Sequence, residues 1–352
     1  MADVSYVGNV AHHQFNQGAI DLNAIKPLTI WTPTANNGQP GPVAKYLDPT
    51  SGNGGTAGFY SPNLLRALAG AYPGWGGIQM YSSNGESNYH SLQAQFNKRV
   101  GTRFHFGSNY TWSKTLVYSR QQWVSDELLK NVAATSRPQA VNINFGYAIP
   151  NGSSLWKNVV TKQVLDGWNF EGILTFYYGT PLTVNCSAVG APIGYWTGTP
   201  TGGLPFRCQQ NGSLWLPSDA TPQSVGSTAD PRLWYNFNRA SFSLPPVNSL
   251  GIGNTPPTLT YGPGVQNADL NLYKQFHVWG ENKILELRFQ AFNAFNHFNP
   301  GNPNTNLALN FATGANTNAA FGSIPSTASG NPQVGGAVLP ARRGVISIRF
   351  TF

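Results

Sequence analysis

The sequence predicts an all-β protein whose strands form an antiparallel transmembrane β-barrel. Three observations predict it. Eight stretches alternate apolar and polar residues with a period of two, their polar faces are built from amides and hydroxyls more than from charges, and the connections between them alternate long and short. Only 10% of the 352 residues are charged, against about 25% in an ordinary soluble domain. Aromatic residues make up 13%, and 39 Gly and 26 Pro shift the balance from helix toward strand and turn. No apolar run reaches the roughly 18 residues that a membrane-spanning helix needs.

Each strand is justified by its own alternation. VSYVGNV at 4–10 is the weakest. NYHSLQAQFNK at 88–98 sets Leu92, Ala94 and Phe96 against Ser91, Gln93, Gln95 and Asn97. TRFHFGSNYTW at 102–112 is the clearest, with Phe104, Phe106, Tyr110 and Trp112 opposite Arg103, His105, Asn109 and Thr111. AVNINFGY at 140–147 opposes Val141, Ile143, Phe145 and Tyr147 to Asn142 and Asn144. GWNFEGILTFYYG at 167–179 opposes Trp168, Phe170, Leu174, Phe176 and Tyr178 to Asn169, Glu171, Thr175 and Tyr177. ADLNLYKQF at 268–276 and ILELRFQAF at 284–292 follow, and GVISIRFTF at 344–352 closes the series. In this last strand Ile346, Ile348, Phe350 and Phe352 face lipid while Ser347, Arg349 and Thr351 face the lumen.

A strand in hydrocarbon cannot leave backbone groups unpaired, so membrane strands must close into a barrel. The predicted connections run about 77 residues (11–87), 3 (99–101), 27 (113–139), 19 (148–166), 88 (180–267), 7 (277–283) and 51 (293–343). Long connections (11–87, 113–139, 180–267 and 293–343) therefore fall on one side and short ones on the other, the pattern of long extracellular loops and short periplasmic turns in a bacterial outer membrane. Residues 1–352 read as a single barrel segment. The N-terminal residues show neither a basic start nor an apolar core, so no signal peptide is expected within the chain.

Several stretches resemble one family in order and spacing: NYHSLQAQFNKR (88–99), SNYTWSKTL (108–116), GWNFEGILTFYYGTPLTV (167–184), LELRFQAFNAFNHFNPGNPNT (285–305), FGSI (321–324) and ARRGVISIRFTF (341–352). They are similar to the C-terminal barrel portion of Oar-like TonB-dependent outer-membrane transporters. The resemblance covers nearly the whole chain. It implies energised uptake of a large ligand by a barrel of about 22 strands, of which this chain supplies about eight, with plug and coupling segment absent. It also implies partners: outer-membrane lipid and lipopolysaccharide, the machinery that inserts barrels and reads the terminal strand, and an inner-membrane energising complex where an N-terminal part exists. The competing readings are an independent eight-stranded barrel with structural or adhesive loops, and a soluble all-β carbohydrate-binding module.

Chemistry is sparse. Cys186 and Cys208 lie 22 residues apart in one predicted loop. On export they are expected to form a disulfide, limiting the unfolded chain by roughly 3 kcal/mol; in a reducing compartment they stay free thiols. His12 and His13 have no third ligand at a useful spacing and read as solvated residues. No GxSxG, HExxH, P-loop or dinucleotide fingerprint occurs, so neither an enzyme nor a cofactor is expected. The net charge of +8 comes from scattered Lys and Arg, which argues against nucleic acid. The lumen-facing candidates are Arg103, Asn109, Glu171, Asp269, Glu286, Arg288 and Arg349, with Asp269 and Glu286 expected to pair with Arg288. The segments at 299–322 and 191–264 are expected to lack a core and to be mobile or packed on neighbouring loops. Their aromatics Tyr195, Trp196, Trp215, Trp234 and Tyr235 fit equally the stacking of an external sugar and small clusters that tie the loops down.

Overall fold

A computed structural model describes residues 1–15, 20–23, 31–35, 39–42, 47–48, 58–59, 62–120, 128–154, 158–189, 207–216, 237–246, 253–277, 283–310, 313–324, 333–334, 337–338 and 341–351. Eight long strands carry it: β1 (Ala2–Gln14), β2 (Gly85–Val100), β3 (Phe104–Arg120), β4 (Gln139–Ala148), β5 (Trp168–Tyr177), β6 (Val265–His277), β7 (Ile284–Phe292) and β8 (Arg343–Thr351). They form one antiparallel sheet in chain order from β1 to β8. A ninth segment, Leu128–Val132, lies against the far end of β3. Several strands outrun their alternating stretch, β3 by eight residues past Trp112, because backbone pairing with β2 and Leu128–Val132 continues there after the side-chain pattern is lost.

The register carries the two faces unbroken across all eight strands. Leu92 opposes Trp112 and Tyr6, Phe145 opposes Phe106, Leu174 opposes Ile143 and Ala268, and Phe289 opposes Leu272 and Ile346. Directly opposed residues share a face, so the apolar residues form one continuous surface. The other face collects Gln93, Asn109, Asn142, Glu171, Asn271, Arg288 and Arg349. Some apolar residues join the polar side, among them Ile173, which opposes Asn144 and Asp269 and is exposed, and Val7, which opposes Ser91.

Among the described residues, much of the apolar surface is left uncovered. Ile346 is 69% exposed, Ile348 70% and Trp112 58%, with Val4, Phe96, Phe176 and Phe350 also open. An apolar sheet face of this extent needs an apolar surround. Phe104, Tyr147, Trp168 and Phe350 stand near one margin and Trp112, Tyr6 and Phe176 near the other, the placement of two aromatic girdles.

The short turns share one end of the sheet. Between β2 and β3 the chain reverses at Gly101, whose φ of 57° is open to glycine without strain. Between β4 and β5, a helix, α1 (Val159–Leu165), is tied back by Asp166, which accepts from the Ser153 hydroxyl at 2.5 Å and the Ser153 amide at 2.9 Å. Those two bonds, the hydroxyl first, hold the Asp166 carboxyl below its ordinary range. The folded form therefore keeps this contribution above the usual carboxylate pKa of about 4 and loses it as pH falls through the lower folded value. The protection factor of the Ser153 amide, its exchange rate set against the intrinsic rate at the same pH, is expected to fall on acidification, and Asp166→Asn to abolish that fall.

The long connections share the opposite end, and there the buried apolar residues gather. Leu182, Cys186, Cys208, Leu214, Phe237, Phe242, Leu307, Leu309, Phe321 and Ile324 are all buried. Asn185–Val189 pairs in parallel with Asn306–Asn310, joining the connection after β5 to the one after β7. Cys186 and Cys208 are joined by a disulfide with their Cα atoms 5.7 Å apart. Phe321 packs on Phe237 at 5.6 Å and Phe242 at 6.1 Å between ring centres. Arg239 donates to the Ala319 carbonyl at 2.8 Å, and Arg207 to the Thr255 carbonyl at 2.8 and 2.6 Å. Of the two expectations for these segments, mobile or packed on neighbouring loops, the described residues show the second: two connections more than a hundred residues apart bury their apolar side chains against each other. Trp215 belongs to the same cluster, 5.1 Å from Phe237; Tyr195, Trp196, Trp234 and Tyr235 lie outside the described residues, as does Phe352.

Candidate functional site

The polar face holds a connected set of charged and aromatic groups where β5, β6, β7 and β8 meet. Alternation puts Glu171, Tyr273, Gln275, Glu286, Arg288 and Arg349 on one side of their strands, and the register brings them together. Glu171 accepts from the Tyr273 hydroxyl at 3.1 Å and from the Asn271 amide at 3.4 Å. The Arg288 guanidinium lies 5.0 Å from the centre of the Tyr273 ring. It also donates to Glu286 from Nε at 3.0 Å and Nη2 at 2.8 Å, while Gln275 donates to the other carboxylate oxygen at 3.0 Å. Arg349 is the register partner of Glu286. The result is an alternating row, Glu171, Tyr273, Arg288, Glu286 and Arg349, able to present both signs of charge to whatever fills the space in front of the sheet.

The other candidates fall elsewhere. Asp269 does not pair with Arg288: its carboxylate accepts from the Asn293 amide at 2.9 Å. That bond secures the turn after β7, where Asn293 has a φ of 47°. Asn109 sits mid-strand between Gln95 and Asn142, and Arg103 is exposed in the short turn before β3. His12 faces Glu86 at 3.4 Å. Among the described residues no group of three metal-ligating side chains occurs.

This combination of a two-faced antiparallel sheet, a bare apolar side and a charged polar side has a counterpart in known families. Residues 1–342 match the outer membrane beta barrel domain. The chain belongs to that family. As an outer membrane barrel domain it resides in the bacterial outer membrane, and its bare apolar face is the lipid-facing one. No curated protein matches the chain in sequence.

The row on β5 to β8 lies on the face opposite the apolar one. The Glu286–Arg288 pair there is only partly shielded, at 13% and 33% side-chain exposure. Glu286→Ala is therefore expected to cost only about 1 kcal/mol, read as a shift in urea unfolding of the vesicle-inserted protein, with the difference shrinking in high salt.

Alternation missed Tyr273 and Gln275 as members of the row, since a polar-face residue is visible within a strand but its partners are set by register. It also missed Lys274. This lysine occupies an apolar-face position opposite Trp168, yet is buried, with Nζ donating to the Asp166 carbonyl at 2.5 Å. Its ammonium stands 5.5 Å from the Trp168 ring and 4.8 Å from Phe276. Lying near the short-turn margin, it folds its charge back to the backbone instead of presenting it to lipid.

Proposed function

We propose that the protein forms the C-terminal wall of an Oar-like, TonB-dependent transporter barrel that takes up a large ligand. The long-connection end faces the exterior and the short turns face the periplasm. One observation carries the reading: the sheet is open, with β1 and β8 at its two edges and not paired with each other. In hydrocarbon those edges must be satisfied, and a barrel of about 22 strands does so while leaving a lumen wide enough for a plug. The charged row on β5 to β8 then lies where plug or ligand passes. The coupling to an inner-membrane energising complex belongs to that larger assembly, and the terminal row Ile346, Ile348 and Phe350 is the segment offered to the insertion machinery.

The second reading, an autonomous eight-stranded barrel with displayed loops, is favoured by the buried connection core, which can stand as a binding head by itself. Paired cysteines placed along β1 and β8 in the membrane-inserted protein separate the two. The transporter reading expects no register to cross-link and an in-frame plug and coupling segment encoded upstream of Met1. Efficient β1–β8 cross-linking would replace it with the autonomous barrel.

A further inference from the structure

Two basic residues interrupt the apolar face at a single height. His90 and Lys114 are direct register partners on β2 and β3, and both are exposed. The ten residues from Phe104 to Lys114 rise about 25 Å at a strand tilt near 40°, which is the height of the apolar band. Lys114 therefore stands at the upper rim of the hydrocarbon, just above Trp112.

These residues edge a groove of about 330 Å³ walled by Tyr6, His90, Leu92, Trp112, Lys114 and Tyr261. Its shape comes from a missing side chain. Gly8 is the partner of His90 on β1, and a Cβ there would meet the Tyr6 hydroxyl at 3.0 Å and its ring at 3.3 Å. Without that carbon, Tyr6 lies alongside His90, with rings stacked 6.1 Å apart and the hydroxyl 2.6 Å from Nδ1. None of the residues lining the groove is acidic. Glu86, further along the same face, is turned to His12 at 3.4 Å.

We infer that this groove binds the phosphorylated headgroup of an outer-leaflet glycolipid. Lys114 supplies the charge, and the Tyr6–His90 pair, with one proton held in its mutual bond, supplies one further donor that suits a phosphate oxygen. Leu92 and Trp112, next down the same face, receive the first part of the acyl region. The site opens on the lipid side of the sheet, where a free anion would lack partners for its uncoordinated faces, whereas a headgroup anchored by its chains is already at that depth. The inference rests on the orientation proposed above, with the long connections outward, and is independent of transport.

The test is native mass spectrometry of the full chain extracted from outer membranes in mild detergent, scoring lipid retained per protein. Wild type is expected to hold about one phosphorylated glycolipid. Lys114→Gln is expected to retain about tenfold less, the loss of one charge-assisted contact set, while Lys114→Arg keeps it. Gly8→Val, which fills the groove without touching a charge, should also release the lipid, and unchanged heat-modifiable mobility in each variant certifies folding. Equal retention by Lys114→Gln and wild type, equal retention of the dephosphorylated glycolipid, or displacement by millimolar inorganic phosphate would each overturn the assignment. Lys114-dependent retention of an anionic glycerophospholipid in its place would overturn both the glycolipid and the orientation, leaving the cross-linking result on barrel size unaffected.

Discussion

Phe321→Ala is expected to lower the stability of the body formed by the long connections by about 3–5 kcal/mol, the cost of emptying a fully packed aromatic site. Phe321 is 2% exposed and touches both Phe237 and Phe242, which belong to the connection after β5, while it belongs to the connection after β7. Its loss removes one apolar link between the two, beside those of Leu307 and Leu309. The disulfide and the parallel strand pair remain, so the body loosens instead of separating. Pulse proteolysis of the vesicle-inserted protein across a urea series reads the effect, with new cleavage in the connections and none in the strands. Phe295→Ala is the matched control: that ring is 75% exposed and its removal is expected to change nothing. Equal protease resistance in wild type and Phe321→Ala would show that the two connections fold separately.

The second large effect separates the two faces of the sheet. Ile143 lies mid-strand in β4, between Ser108 and Leu174 on the apolar side. Ile143→Arg places a guanidinium near the middle of the hydrocarbon, at a cost of about 2–4 kcal/mol. Asn142, its neighbour in sequence, looks the other way toward Asn109 and Thr175. Asn142→Arg enters the wet lumen and is expected to cost under about 1 kcal/mol. Equilibrium unfolding from lipid vesicles measures both, and a difference between adjacent positions cannot come from strand propensity or local unfolding. Equal costs would show that lipid does not bathe only one side.

How much could be read in advance depended on whether a feature is local. Facing within a strand is local, since a period of two is written in consecutive residues, and Phe104, Phe106, Tyr110 and Trp112 lie together as their spacing dictates. Register between strands is not. Glu286 was visible as a polar-face carboxylate, and so was Asp269, but only the pairing of β6 with β7 shows that one meets Arg288 and the other caps Asn293. His90 and Lys114 were hidden for a related reason: they lie at the upper rim, where the apolar pattern stops and the hydrogen-bonded ladder does not. Lys274 sits inside an apolar row and reads as a defect until its carbonyl partner in the β4–β5 turn is known. The buried body was least legible, because Cys186, Leu307 and Phe321 each sit among Asn, Thr and Gly and acquire neighbours only when distant segments meet.

The parallel ladder between Asn185–Val189 and Asn306–Asn310 has a mechanical consequence. Two hairpin tips that would otherwise swing separately are riveted side by side, so a pull on either is transmitted to both. Force applied to either segment of the ladder is thereby carried to the ends of all four strands, β5 to β8.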